Sequence, residues 1–210
     1  MNHTERVALA GLAAGIILIT LTMTLVAKTK EPHHKVLSKD GKFEIREYEA
    51  VVAADVVSPG DRSAAANRSF RILFKYISGE NRSQSKIPMT SRVAMNENEK
   101  IPMTAPVTEQ ESSEGWHVRF FLPPTYSLET APQPTNPAIR MLQLPSERFV
   151  SVRFSGSSSE SNLSEHLKQL EDYIHQKELK ITGDPVFAFY NAPFVPSPFR
   201  RNEILWKLTE

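Results

Sequence analysis

The sequence predicts an α+β domain of antiparallel strands with two helices, preceded by one N-terminal transmembrane helix. Three observations carry this reading. Segments with strand-like alternation outnumber helical ones, and short links join them, which favours antiparallel pairing. Two stretches show helical i, i+3, i+4, i+7 spacing, and each lies between strands. One run, Val7 to Ala27, contains neither charge nor proline.

That run comes first. Spanning a bilayer takes about 20 apolar residues in a helix. VALAGLAAGIILITLTMTLVA exceeds the roughly 7–15 residue core of a signal peptide, and Leu25 is a poor −3 residue for cleavage after Ala27. The reading is a single-pass, uncleaved membrane anchor through residues 7–27, within an anchor segment 1–30. Arg6 precedes the span, while Lys28, Lys30 and Lys35 follow it. The positive-inside rule and a signal-anchor reading then disagree, so the side of the membrane stays open. Residues 31–41 are charged, carry Pro32 and the pair His33-His34, and read as a tether. Two adjacent histidines without further ligands make a poor metal site.

Residues 42–210 read as the folded domain. FEIREYEAVVAADVV, from Phe43, is rich in strand-forming residues. SPGD ends it, and Asp61 is placed to cap a helix through Ile77. There Phe70, Leu73, Phe74 and Ile77 share one face, and Gly79 is a natural stop. KIPMT occurs twice, at Lys86–Thr90 and Lys100–Thr104, around a polar Asn96-Glu97-Asn98-Glu99. This is expected to form a β-hairpin with Ile and Met turned inward. WHVRFFLP (116–123) is a strand. A Pro-rich connection and the strand IRMLQLP (139–145) lead to ERFVSVRFSG (147–156), which alternates cleanly. A second helix is expected from about Asn162 to Lys177, with Asn162 and Glu165 at capping-box spacing and a stripe of Leu163, Leu167, Leu170 and Ile174. PVFAFY and the terminal NEILWKL are strands. The order strand–helix–strands therefore occurs twice.

Composition narrows the function. The chain has 210 residues, a formal net charge of +1 and no cysteine. Near-neutral charge argues against a dedicated nucleic-acid partner. Thiolate catalysis, disulfides and Cys-ligated metals are excluded. No phosphate-binding glycine loop, H-E-x-x-H or G-x-S-x-G is present, so no catalytic constellation is named. His117 is read as a surface or edge histidine, with iron ligation as the alternative. His166 and His175 lie on opposite sides of a helix and hold no common metal. The face of Phe70, Leu73, Phe74 and Ile77 is first a core face. Its functional reading is the wall of an apolar slot for a flat ligand, with Lys75 and Arg71 as a basic rim.

Six segments, in order, resemble the SOUL haem-binding family: FEIREYEAVVAADV, FRILFKYISGEN, KIPMTAPV, WHVRFFLPPTYSLETAPQPTNPAI, RFVSVRFSG and YNAPFVPSPFRRNEILWKL. The resemblance covers residues 40 to 208. It implies a distorted antiparallel β-barrel with two helices in two pseudo-symmetric halves. It also implies binding of haem or another tetrapyrrole, as a ligand rather than a catalytic cofactor, for carriage or buffering. By position it points to Phe70, Leu73, Phe74 and Ile77 as ligand contacts, with Lys75 where a propionate-binding lysine has been proposed. Departures are Asn67 in place of an arginine, Val195 in place of a lysine, and Phe70 and Phe74 in place of methionines. The alternative is a barrel that binds another small hydrophobic ligand, as in related effector-binding domains. Met89 or Met103 as an axial iron ligand is the alternative to their packing role.

Overall fold

The computed structural model describes residues 30–84 and 98–209. Strands β1 (His34–Asp40), β2 (Phe43–Tyr48) and β3 (Val51–Ser58) lead into helix α1 (Arg62–Ile77). Then follow β4 (Asn81–Arg82), β5 (Val107–Ser112), β6 (Gly115–Phe121), β7 (Gln133–Pro134), β8 (Arg140–Leu144) and β9 (Glu147–Phe154). Helix α2 (Glu160–Gln176), β10 (Ile181–Phe189) and β11 (Asn202–Leu208) complete the order.

Nine of these strands form one antiparallel sheet in the order β1-β2-β9-β11-β10-β5-β6-β3-β8. The units β2-β3-α1-β5-β6 and β8-β9-α2-β10-β11 correspond, and β5 pairs with β10 at the middle. Each unit lends its first strand to the other. Strand β2 pairs with β9, and β8 pairs with β3. The sheet is open rather than a closed barrel. The lent strands run outward to opposite sides, and the edges β1 and β8 are left without a strand to bridge them.

Two further expectations are corrected. Residues 34–40 were expected to lie in a tether, yet they form β1 and pair with β2, with a bulge between Val36 and Ser38. Nearly all its side chains are exposed, so its composition looks like a linker while its backbone makes a ladder. The second KIPMT copy is not a hairpin strand. Lys100–Pro106 runs as coil against the end of α1, where Ile101 N donates to Ile77 O at 2.9 Å. Ile101, Thr104 and Ala105 are buried, whereas Met103 is exposed. Buried Asn81 pins the start of this coil through bonds to Tyr76 O and to both the O and N of Glu99. The first copy lies outside the described residues, as does the apolar run 7–27. Among the described residues no helix is long and apolar enough to cross a membrane.

Alternation along the strands separates two faces. Val52, Val56, Val118 and Phe120 form one core with Leu73, Tyr76 and Ile77 of α1. Val150, Val152, Phe187 and Ile204 form a second with Leu163, Leu170 and Ile174 of α2. Val107 and Phe189 are paired across β5 and β10 and belong to different cores, so both helices lie on the same side of the sheet. Arg62, in the first turn of α1, joins the halves on that side. It donates to Glu109 of β5 and to Glu160 of α2, each at 2.7 Å. Burial raises the Glu109 carboxyl above its ordinary range, with Arg62 acting in opposition.

Asp61 caps α1, its side chain accepting from Ala64 N at 3.1 Å, and Gly79 leaves the helix with φ of 118°. The buried stripe is Ala65, Ser69, Leu73 and Tyr76, with Ile77 beside it. This stripe is rotated from the one expected at 70, 73, 74 and 77. Small residues at 65 and 69 admit a close approach to β3, where Ser69 Oγ donates to Ser58 Oγ at 2.8 Å. Helix α2 starts two residues earlier than expected, after Ser159, while Asn162 donates to Ser157 O. Its buried face includes Leu163, Leu170 and Ile174 as expected.

Leu73 is fully buried and Phe74 is 48% exposed, so neighbouring truncations should differ sharply. Leu73→Ala should lose about 2–5 kcal/mol to lost burial and a cavity. Phe74→Ala should stay within about 0.5 kcal/mol of the parent, as surface changes do. Urea denaturation of both variants measures this.

Candidate functional site

Helix α1 divides the five residues expected to contact a ligand. Leu73 and Ile77 are buried in the core and present no surface to a ligand; they support the helix from behind. Phe74 and Lys75 are exposed, and Phe70 is half-buried against the first core. The Phe70 and Phe74 rings are parallel within 10° at a centroid distance of 6.0 Å. Phe70 also meets Phe120 edge-on at 5.3 Å, which fixes it to the sheet. Lys75 is exposed and 3.4 Å from Glu80. Arg68 donates to Pro59 O, and Asn67 donates to Ser63 O at 2.9 Å. Of the expected wall and rim, this leaves an aromatic pair and the exposed Arg71 and Lys75 on the same helix.

The opposite face of the sheet carries a cleft of about 390 Å³, within the usual range for small-molecule sites. Val51, Phe121, Leu144, Phe149, Val186 and Leu205 supply its apolar lining. Gln110, Arg119, Lys207, Tyr48 and Tyr190 add polar groups. None of these was singled out from the sequence. The available signal was adjacent apolar residues within strands, such as Phe120-Phe121, Phe149-Val150 and Val51-Val52. Such pairs make both faces of a strand apolar, whereas a half-solvated sheet alternates.

A charged network borders the cleft. Arg46 donates to both carboxylate oxygens of Glu203, at 2.6 and 3.2 Å, and both side chains are buried. Tyr190 Oη donates to Glu203 at 2.8 Å, and Arg201 Nε donates to it at 2.9 Å. Arg201 lies 3.7 Å from the Tyr190 ring centre and also pairs with Glu31 at 2.7 Å. Burial opposes ionisation of Glu203, but the bonds and charges of Arg46 and Arg201 outweigh it and hold the carboxyl below its ordinary range. Burial pushes the Tyr190 hydroxyl well up, and neighbouring Glu203 pushes it further. The Arg200-Arg201-Asn202-Glu203 segment thus makes fixed internal contacts, including Asn202 Nδ2 to Gly156 O at 3.0 Å.

A second polar cluster sits on β3, β5 and β6. Asp55 is buried and accepts from Arg119 Nε at 2.9 Å, and His117 Nδ1 lies 3.0 Å from it. Arg119 also donates to Gln110 at 3.0 Å. His117 is therefore a partly buried histidine oriented by a carboxylate. His166 stacks on Phe154 at 4.1 Å, which is a packing role. Among the described residues, no group of three or more His, Asp or Glu is close enough to hold a metal ion.

Removing Glu203 leaves the buried Arg46 guanidinium with Glu44, at 2.7 Å, as its remaining carboxylate partner and takes one carboxylate from Arg201. Glu203→Ala should cost about 3–5 kcal/mol at neutral pH. The pH dependence follows from the depressed carboxyl. Its stabilisation is fully present above the unfolded value of about 4.3 and is lost as pH falls through the lower folded value. Denaturation between neutral pH and pH ~3 should therefore show the gap between parent and variant narrowing only on the acid side.

The model of the family described as SOUL heme-binding protein matches residues 29–98 and 93–207. No curated protein sequence matches at a significant level. Among solved structures, the fold is similar to the C-terminal domain of EcmrR, with TM-score 0.53 and 11% identity over 80% of this chain and 97% of that one. EcmrR in a complex with DNA gives TM-score 0.57 and 10% identity over 99% of this chain and 69% of that one. A hydrolase from Listeria innocua gives TM-score 0.52 and 12% identity over 82% and 94%. At such identities the likeness is one of fold alone. The family match is of another kind, since it extends over both strand–helix–strand units, and the chain belongs to the SOUL haem-binding family.

Proposed function

We propose that this protein binds haem or a related tetrapyrrole, for carriage or buffering, and that the outer face of α1 forms a wall of the seat. The observation that supports this is the parallel Phe70–Phe74 pair on α1, with the exposed Lys75 on the same helix. Phe74 is a large aromatic, 48% exposed, on a helix whose core face lies elsewhere. A porphyrin is flat and apolar with carboxylates at one edge. Aromatic side chains suit the apolar rings, and the exposed Lys75 and Arg71 on the same helix offer cations to the carboxylates. Leu73 and Ile77 serve by holding the wall in place. We further propose that residues 7–27 anchor the chain in a membrane, on the strength of that uncharged run.

A second reading has its own observation. The cleft on the far face holds about 390 Å³, and its apolar lining with Arg119 and Lys207 suits a small hydrophobic ligand other than a porphyrin. The two readings name different residues and are separable.

Titration of the full chain with haemin, read by the Soret band and by quenching of Trp116 and Trp206, should saturate in the micromolar range. Phe74→Ala and Lys75→Glu should each weaken it about tenfold, equivalent to ~1.4 kcal/mol. Val186→Arg in the cleft should leave it unchanged. Weakening by Val186→Arg alone transfers the site to the cleft. Failure to saturate removes the haem reading. Stronger thermal stabilisation by non-porphyrin hydrophobes than by protoporphyrin favours the second one.

A further inference from the structure

The loop between β10 and β11 is built in an unusual way. Residues Asn191–Arg200 read NAPFVPSPFR, with three prolines, no acidic residue and two phenylalanines. Phe194 is 83% exposed and Phe199 is 64% exposed, the two most exposed large hydrophobic residues described. Hydration of that much aromatic surface is unfavourable.

The loop is nevertheless held firmly. Arg200 folds back and donates to Val195 O at 2.7 Å and to Pro193 O at 2.6 Å. Arg201 N donates to the Asn191 side chain at 2.6 Å, which closes the base. Gly156 N donates to Ser197 O at 3.0 Å. A short 3-10 turn, Ser197–Phe199, and the prolines restrict the backbone further. The phenylalanines are thus presented by a braced loop.

The chain enters the domain at this same place. Glu31 pairs at 2.7 Å with Arg201, the residue that closes the loop. Only Lys28, Thr29 and Lys30 separate Glu31 from the uncharged run ending at Ala27. Residues 27 and 31 are four steps apart, which span at most about 14 Å at full extension. The chain length between residues 27 and 31 therefore limits how far apart they can lie.

We infer that the 191–200 loop is a lipid-contact surface, in which Phe194 and Phe199 enter the interfacial layer of the bilayer that holds residues 7–27. This rests on the anchor reading of those residues. The chemistry is complementary on both counts. Aromatic side chains favour the interfacial layer, and Lys28, Lys30 and Arg200 offer cations to phosphate headgroups. Neither carboxylates nor buried polar atoms of the loop need to be desolvated for this contact.

The chain has no cysteine, so a single probe site is available anywhere. Full-length protein carrying Phe194→Cys is labelled with a polarity-sensitive dye and reconstituted into vesicles of zwitterionic and anionic phospholipid. Ser113→Cys, in the exposed turn between β5 and β6, is the reference site. The dye at 194 should be blue-shifted and quenched by lipids bearing a nitroxide at the headgroup or upper acyl chain, and the dye at 113 should not. Adding Phe199→Ser should reduce the quenching at 194 without changing vesicle flotation. Flotation with equal, weak quenching at both sites overturns the loop contact but leaves the anchor standing. A blue shift at 194 without lipid quenching assigns the loop to protein contact and overturns the proposal. Failure of the full chain to float with the vesicles overturns the anchor and the contact together.

Discussion

The buried pair of Arg46 and Glu203 is the constraint on which the arrangement of strands depends. Arg46 is on β2 and Glu203 on β11, and β9 runs between them. The pair therefore ties a strand from the first half to the second half across an intervening strand. Two buried charges far apart in sequence, each needing the other, tolerate few alternatives. A slip of β2 by one residue would turn Arg46 into the core of Phe43 and Ile45 and send those residues to the cleft. The ion pair thus sets register as well as contact. Strand exchange follows from it, and an open sheet with two chemically distinct faces follows from the exchange.

Those faces divide the protein's properties. One side carries both helices, two hydrophobic cores and the Arg62 link to Glu109 and Glu160. Its outer layer on α1 is an aromatic surface beside a lysine. The other side is a cleft floored by apolar strand residues and edged by the Arg46–Glu203–Tyr190 network. The helix face offers the aromatic surface and charge that the proposed tetrapyrrole ligand needs. The loop that closes on Arg201 connects this frame to the point where the chain enters.

Much of this was legible in the sequence because it depends on local spacing. The α1 boundaries follow from Asp61 and Gly79, and β6, β8, β9 and β11 from alternation and breakers. The α2 stripe follows from its leucines. The missing parts depend on partners distant along the chain. Strand β1 is stabilised by the β2 backbone while its side chains stay in water, so no pattern marks it. The coil of Lys100–Pro106 looks extended and alternating, yet Asn81 and Ile77 claim its backbone polar groups. The α1 stripe was rotated because Phe70 and Phe74 are more hydrophobic than Ala65 and Ser69. The helix buries the smaller pair, since close approach to β3 requires small side chains. That misreading is informative: Phe74, which periodicity assigned to the core, is left exposed where a ligand can meet it, while Phe70 packs half-buried against the core. An open sheet in place of a barrel is also a nonlocal outcome, set by which half each hairpin strand joins.

The central claim is that the outer face of α1 seats the tetrapyrrole. Hydrogen exchange of the full chain with and without haemin tests it most directly, because exchange reports each segment separately. The account predicts added protection in residues 70–78, with the cleft strands at 107–110, 117–121 and 182–186 unchanged. Protection of those strands, with α1 unaffected, would contradict it.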